Sequence, residues 1–405
     1  MKYSIVLGLQ FGDEGKGSFT NWLCSESITN KETPLVIRFN GGHQAGHTVL
    51  HNGNRHVFSS FGSGTLQGVT TFWSEYCTVY PIAMLNEWNK LKELNIKPDI
   101  YFDPLCPITT PYDVFANINL ENSNKHGSVG VGFGTTLKRQ EAYYKLYIQD
   151  IFNKTILKAK LSNIKNYYRN IELPDGILDD WFNAIDVLIS DGILSKDKLT
   201  FNYYDFLTNC DYDMKYDHFI FEGAQGILLD MDFGFFPNVT RSNTTSKNVF
   251  NLINKLGLNI IGDSFMIESN VYYITRAYQT RHGLGFMSNR DLPEPKLINN
   301  EHEINVDTSF QGIFRKSILD LDLINYAIEC DQNFGDQNFG IIAEGNDVYK
   351  KRTIVITCLD QIEGNIKYTI NQKLYESDIT ELKYNLNKLT GIINFKLGIK
   401  ESKFK

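Results

Sequence analysis

Residues Ser4 to Phe19 read SIVLGLQFGDEGKGSF, an apolar run that breaks into a glycine-rich segment carrying one lysine and two adjacent carboxylates, Asp13 and Glu14. A short apolar run bounded by glycine predicts a buried strand over Ser4 to Phe11, and the pattern from Ser18 to Glu26 predicts the start of a helix. The glycine loop therefore sits at a strand-to-helix junction. The same pattern recurs in PLVIRFNGGHQAGHTVL, with Leu35 to Phe39 as the strand, and again in HFIFEGAQGILLDMDFG and RTIVITCLDQIEG. Apolar strands alternating with helices predict an α/β fold: a large, mainly parallel central sheet flanked by helices, whose strand carboxyl ends gather ligands. From about Ala142 to Cys210 the spacing is helical, as in WFNAIDVLISDGIL, and predicts a helical subdomain inserted between sheet strands.

Composition narrows the function classes. A net charge of −7 excludes broad electrostatic capture of nucleic acid or of an anionic membrane, while leaving room for a small anionic ligand in a locally positive site. The six cysteines are scattered, with no Cys-x-x-Cys pair, and read as buried reduced thiols. The run after Lys2 is too short to span a membrane and lacks a signal-peptide pattern, so a soluble, cytoplasmic protein is expected. The tandem DQNFGDQNFG, Asp331 to Gly340, reads as a polar surface loop without catalytic weight.

The opening loop is not a Walker A motif, because Gly15-Lys16 is followed by Gly17 and the position five before Gly15 is Gln10. Its ingredients still suit phosphate: Gly12, Gly15 and Gly17 permit close backbone approach, the helix start offers N–H groups, and Lys16 brings a point charge. Such a loop serves equally as a plain strand-to-helix turn. The acids decide, since a carboxylate beside phosphate is repelled unless Mg²⁺ intervenes or the acid works as a base. In GGHQAGHT, His43 and His47 stand four apart, but no third zinc ligand is near and the glycines oppose a regular helix. A general acid role for one of them fits better.

With both loops in hand, the sequence resembles the adenylosuccinate synthetase family. The resemblance rests on GDEGKG (Gly12 to Gly17), GGHQAGHT (Gly41 to Thr48), FEGAQGILLDMDFGFFPNVTRSNTT (Phe221 to Thr245), AYQTRHGLG (Ala277 to Gly285) and TCLDQIEG (Thr357 to Gly364). It implies a P-loop-NTPase-like fold running through residues 1–405 as one domain, smaller subdomains included, and a homodimer. It also implies a Mg²⁺-dependent ligase that uses GTP to phosphorylate the 6-oxygen of IMP, which the amine of L-aspartate then displaces. On that pattern Asp13 takes the purine N1 proton and binds Mg²⁺ with the Gly46 carbonyl. His47 and Lys16 assist phosphoryl transfer. Gly12, Glu14, Gly15, Lys16 and Gly17 hold the GTP phosphates, Asp360 reads guanine, and Gly398 adds to the GTP site. Gln44, Ser128, Gln225 and Thr240 hold IMP, with Arg139 reaching its phosphate across subunits.

The sequence also departs from the family pattern. Gln44 replaces an asparagine, and Val129, in SVGVGFG, removes a hydroxyl that Ser128 or Thr135 would have to replace. An arginine-rich loop that clamps the donor's carboxylates is reduced to Arg315 and Lys316 in TSFQGIFRKSILD. Cys358 replaces a lysine, which bears on the choice between GTP and ATP. Three readings follow: the family reaction, a ligase of the same fold with another purine nucleotide (dGMP, dIMP) or another amine donor, and a non-catalytic purine-nucleotide-binding homologue. Retention of Asp13 favours a hypoxanthine-type substrate, since phage relatives that take dGMP carry a small residue there.

Overall fold

The computed structural model describes residues 1–124, 129–209, 213–258, 267–299, 312–335, 348–400 and 403–404. The opening run forms β1 (Lys2–Gly8), and α1 (Lys16–Thr29) follows the glycine loop. Next come β2 (Pro34–Arg38), the hairpin β3 (His47–His51) and β4 (Asn54–Phe58), β5 (Thr70–Trp73), α2 (Pro81–Glu93), β6 (Ile100–Phe102), α3 (Pro111–Asn124) and α4 (Phe133–Glu141). Then α5 (Lys154–Tyr167), α6 (Ile177–Ser190) and α7 (Tyr203–Leu207) lead to β7 (His218–Gly226), α8 (Lys247–Lys255) and β8 (Ile267–Arg276). The last part holds β9 (Gln279–His282), β10 (Phe314–Ser317), β11 (Leu319–Asp320), α9 (Leu321–Cys330), β12 (Val348–Thr357), β13 (Ile366–Ile370), β14 (Lys373–Ser377), α10 (Ile379–Thr390), β15 (Asn394–Lys400) and β16 (Lys403–Phe404).

Among the described residues the main sheet has nine strands in the order β16-β15-β12-β8-β1-β7-β2-β5-β6. Every pairing in it is parallel except β15 with β16. The central parallel strands β1, β2 and β7 are buried on both faces, as their apolar runs require. Alternate residues serve the two faces. Ile5, Leu7, Ile37, Phe221, Tyr273 and Ile354 pack under α8, α9 and α10, while Val6, Val36, Ile220, Ile274 and Val355 pack against Phe19 and Leu23 of α1.

The first strand stops at Gly8, earlier than the sequence suggests, and the helix starts at Lys16, two residues sooner. The cause is local. The Glu14 carboxylate accepts from the N–H groups of Gln10 at 3.0 Å and Gly12 at 2.8 Å, which turns the chain out of the sheet.

Residues 142–209 contribute α5, α6 and α7. Asn153 caps α5 by accepting from the N–H groups of Thr155 and Ile156, and α6 buries Trp181, Ala184, Ile185 and Leu188 at helical spacing. Trp181, Ile185 and Leu188 join a second apolar cluster with Val49, Phe58, Trp88 and Leu91. The tandem repeat corrects the sequence reading: its first copy, Asp331–Gly335, is a π-helical turn whose Asp331 is wholly buried. That carboxylate accepts from Ser246 N at 2.7 Å, Ser246 Oγ at 2.8 Å and Tyr273 Oη at 2.8 Å, tying the turn to α8 and β8. The second copy lies outside the described residues, as does Cys210; Cys24, Cys77, Cys106 and Cys330 are buried free thiols and Cys358 is half-buried. No helix among the described residues is long and apolar enough to cross a membrane.

One buried histidine sets a pH dependence. His218, at the start of β7, bridges Ser4 Oγ at 2.7 Å and Ser27 Oγ at 2.5 Å, and burial, helped by Lys2, pushes its pKa down to about 3. The folded state keeps this ring neutral where the unfolded chain protonates it, so stability falls as pH drops from 6.5 toward 3. The slope from this group approaches ~1.4 kcal/mol per pH unit. Urea midpoints followed across that window should fall less steeply for His218→Asn than for wild type; parallel curves would contradict the assignment.

Candidate active site

The site assembles at the carboxyl ends of β1, β2, β7, β8 and β12. Gly15, with φ of 87°, caps α1 in the left-handed region. At Gly17 a Cβ would stand 2.5 Å from His47 Cβ and 2.9 Å from Ser63 Oγ, so the position that carries Ser or Thr in a Walker A loop must here be glycine. The absence of a hydroxyl that breaks the motif is what admits the second loop.

The two carboxylates of the first loop have different jobs. Glu14 and Lys16 form an ion pair at 2.6 Å with both side chains 1% exposed, and Lys16 Nζ also donates to Gly12 O at 2.8 Å. Two of the three ammonium donors are thereby engaged inside the loop. Glu14 is thus a loop-building residue rather than a rim contact, and Lys16 lies within the cradle with one donor left for a ligand. Asp13, in contrast, is about a quarter exposed (24%), with His282 Nε2 3.8 Å from Oδ2. Burial, reinforced by Glu14, raises its pKa above the usual carboxylate value, against the pull of Arg276, His282 and Lys16.

His47 opens β3, 6% exposed, and its Nδ1 lies 2.6 Å from Oε1 of Glu222 on β7. Burial alone would raise the Glu222 carboxyl, but His47, Arg38 and Ser63 hold it down to about 2. An ionised carboxylate only accepts, so Nδ1 carries the proton and Nε2 is the nitrogen offered to a ligand. Ser63 donates to Glu222 from both N and Oγ. Arg38 is fully buried 5.1 Å over the Trp73 ring, without a hydrogen-bond partner for its guanidinium. Burial lowers the His47 pKa and Glu222 opposes that effect.

Gln225 follows at φ 62°, its Cα 3.5 Å from where a Cβ on Gly12 would stand, so it borders the loop. Gln44 turns toward Gly41 and Gly42 with both amide atoms buried and, among the described residues, unpartnered, as a side chain placed for a polar ligand would be. Gly46 is exposed between β2 and β3. Thr240 lies on the return from β7, its N–H on Leu229 O at 2.8 Å. Asp360 sits in the single turn Leu359–Gln361 after β12, and Gly398 packs 3.3 Å from Thr357 Cα beside it, counted from the place of an added Cβ. His43 stands apart, lining a cavity of about 390 Å³ with Tyr80, Glu87 and Lys90. Among the described residues no group of three or more His, Cys, Asp or Glu side chains is placed to hold a metal ion.

Two expectations need correction. Arg139 does not reach outward: it is fully buried, with Nε and Nη2 on Asp113, Nη1 on Gln140 Oε1 and Tyr144 O, and Nη2 also on Ile108 O. All five donors of the guanidinium are engaged within its own subunit. Thr135 does not replace the hydroxyl lost at Val129, since its own donates to Asp113 O and Gly132 O in the first turn of α4. Ser128 lies outside the described residues.

Arg315 on β10 pairs in register with Arg281 on β9, and Lys316 with Thr280. Arg281 donates to Phe286 O at 2.6 Å and Asn238 O at 2.9 Å, and Arg315 donates to Gly285 O at 3.1 Å, its Nε and Nη2 buried without a partner among the described residues. Burial and Arg315 bring Arg281 down to about 10; burial and Arg290 lower Arg315. Among the described residues neither Arg281 nor Arg315 has an ion-pair partner. Among the described residues Arg315 lowers the pKa of Arg281, and Arg290 that of Arg315, with no acid opposing them, an arrangement suited to an anion, and Arg281 and Arg290 were missed by sequence reasoning along with Glu222, Arg38 and Arg276. A signal existed for three of them, Arg38, Glu222 and Arg276: an acid or arginine inside an apolar parallel strand must be compensated in the core.

A doubly wound α/β sheet whose strand ends bring together a glycine loop, a mouth carboxylate and a His–Glu pair defines a protein built to handle a phosphorylated ligand. The chain belongs to the adenylosuccinate synthetase family, whose model matches residues 5–388. It is 34% identical over 265 residues to the adenylosuccinate synthetase of Actinobacillus succinogenes, a match covering 61% of this chain and 57% of that one. With the Blochmanniella pennsylvanica enzyme identity is 31% over 297 residues, covering 69% and 63%. The chain thus matches less than two thirds of the length of these curated relatives. A fully ligated adenylosuccinate synthetase from Plasmodium falciparum superposes with a TM-score of 0.69 at 18% identity, covering 98% of this chain and 97% of that one. The cyanophage S-2L succinoaminodeoxyadenylate synthetase, bound to dGMP and dATP, gives 0.57 at 14%, covering 100% and 95%. Both likenesses are of fold.

Proposed function

We propose that the chain is a Mg²⁺-dependent ligase that joins L-aspartate to C6 of IMP at the expense of GTP, releasing adenylosuccinate, GDP and phosphate. The observation that carries the reading is the meeting of Asp13 with the His47–Glu222 pair around one glycine loop. A sensor needs phosphate contacts but neither group.

The purine 6-oxygen is a poor leaving group until it is phosphorylated. Asp13 accepts the N1 proton, which makes O6 nucleophilic, and a carboxylate held above its ordinary pKa is a stronger base than a solvated one. His47, its Nδ1–H fixed by Glu222, offers Nε2 to the transferring phosphoryl group, and the charge gathering on the phosphoryl oxygens favours a proton there against the burial that lowers the ring's pKa in the free site. The residues fit Mg²⁺: the partly exposed Asp13 carboxylate and the exposed Gly46 main chain are the kind of sparse donor set that Mg²⁺ uses when substrate phosphates supply the rest. A Mg²⁺ ion held there would neutralise charge on the phosphates of the donor nucleotide.

Arg281, Arg290 and Arg315 supply the donor's carboxylate contacts that the reduced loop lacks. Arg315→Ala is expected to raise the apparent KM for aspartate by about tenfold or more, the scale of a charge-assisted bond, with a smaller change for GTP. An unchanged aspartate KM would place the donor elsewhere. As a homodimer, the protein needs a cation other than Arg139 to cross to the neighbouring nucleotide. The test of the reading is phosphate release from GTP that requires both IMP and aspartate; ligand-induced stabilisation without turnover would point instead to a nucleotide sensor.

A further inference from the structure

Asp13 is also held from behind. Arg276, the last residue of β8 and 6% exposed, donates from Nε to the Asp13 carbonyl. Its Nη1 donates to Tyr278 Oη at 2.7 Å, and its guanidinium lies 5.4 Å over the Tyr278 ring. Tyr278, 1% exposed, donates in turn to Gln361 Oε1 at 2.5 Å. Arginine has only donors and a phenol one proton, so the direction is fixed: Arg276 to Tyr278 to Gln361. Gln361 closes the turn that carries Asp360, and that turn starts at Cys358 with φ of 56°, a left-handed conformation that a residue with a Cβ holds only when its surroundings impose it.

We propose that Tyr278 and Gln361 are positioning residues that carry occupancy of the purine-reading turn to Asp13 by way of Arg276. The inference rests on the reading of Asp360 as the residue that meets the energy-donor base. A second tie, Thr357 Oγ1 to Glu14 O at 2.8 Å, fixes the strand end to the loop whatever is bound. The side-chain path differs because its last member sits next to the base contact, so a base that orders the turn also fixes the main chain of the proton acceptor. Misplacing a reacting group by an ångström costs rate rather than ground-state binding.

Gln361→Leu and Tyr278→Phe should each lower kcat roughly tenfold or more, with KM for IMP and aspartate within about twofold of wild type. The split between kcat and KM separates positioning from mere destabilisation: a merely structural role would lower the unfolding midpoint and leave kcat per folded molecule near that of wild type.

A readout without turnover uses guanosine, which has the base and lacks phosphates, with hydrogen exchange followed in peptides covering residues 10–14 and 358–362. In wild type both should be protected; in the two variants only the second. Protection of 358–362 without 10–14 in wild type, or protection of both segments in the two variants, overturns the relay. No protection at 358–362 overturns the Asp360 assignment, and the relay with it, while leaving the ligase reading to its own assay.

Discussion

Asp13→Asn is expected to lower kcat by roughly 10³-fold or more while leaving the urea midpoint at or slightly above that of wild type. The two halves of this expectation come from one feature. Asp13 is only partly exposed and its charged form is disfavoured by burial and by Glu14. Removing the charge therefore relieves a cost in the folded state, by the same linkage that raises the pKa. The amide keeps the shape and the carbonyl tie to Arg276 and loses only the capacity to take a proton. Steady-state kinetics and urea unfolding on the same preparation check both halves. A variant with near wild-type kcat would remove Asp13 from the base position, and a sharply lower midpoint would make the carboxylate a structural group like Glu14.

Glu222→Gln is expected to cost kcat up to about 10⁴-fold, the loss seen when a carboxylate that sets a histidine tautomer is replaced by its amide. The ionised carboxylate forces the proton onto Nδ1 of His47; an amide can present N–H there instead and reverse the ring. Stability should fall as well, on the order of 3–5 kcal/mol, because Arg38 keeps its charge in the core after losing the acid that compensates it. The accompanying change is in the pH dependence of kcat, which reports the imidazole. A kcat within about tenfold of wild type would mean that His47 needs no partner to set its tautomer.

How far the sequence carried this account depends on whether the cause was local. The strand-to-helix junction at Gly12–Gly17, the second loop at Gly41–Thr48 and the parallel sheet were legible, because apolar runs and glycines act over a few residues. Asp13 was legible as an acid with no structural excuse. Glu14 beside it was not separable, since its role depends on a return contact to Gln10 and Gly12 and an ion pair with Lys16. Arg139 was misread for the opposite reason: its partner, Asp113, lies on another helix, and a helical pattern around Arg139 gives no sign of it. Asp331 looked like part of a polar tandem and turned out to anchor a turn to Ser246 and Tyr273. The arginine cluster is the largest gain from three dimensions. Register between β9 and β10 brings Arg281 and Arg315 side by side across a gap that the sequence leaves open.

The central claim is that the purine 6-oxygen leaves as phosphate. The most direct measurement uses IMP labelled with oxygen-18 at position 6, together with Mg²⁺, GTP and L-aspartate, and reads the label in the products by mass. The account predicts a nucleotide of adenylosuccinate mass without the label and one labelled oxygen in each phosphate released. Label retained in the nucleotide, or unlabelled phosphate formed without a new carbon–nitrogen bond, would contradict it.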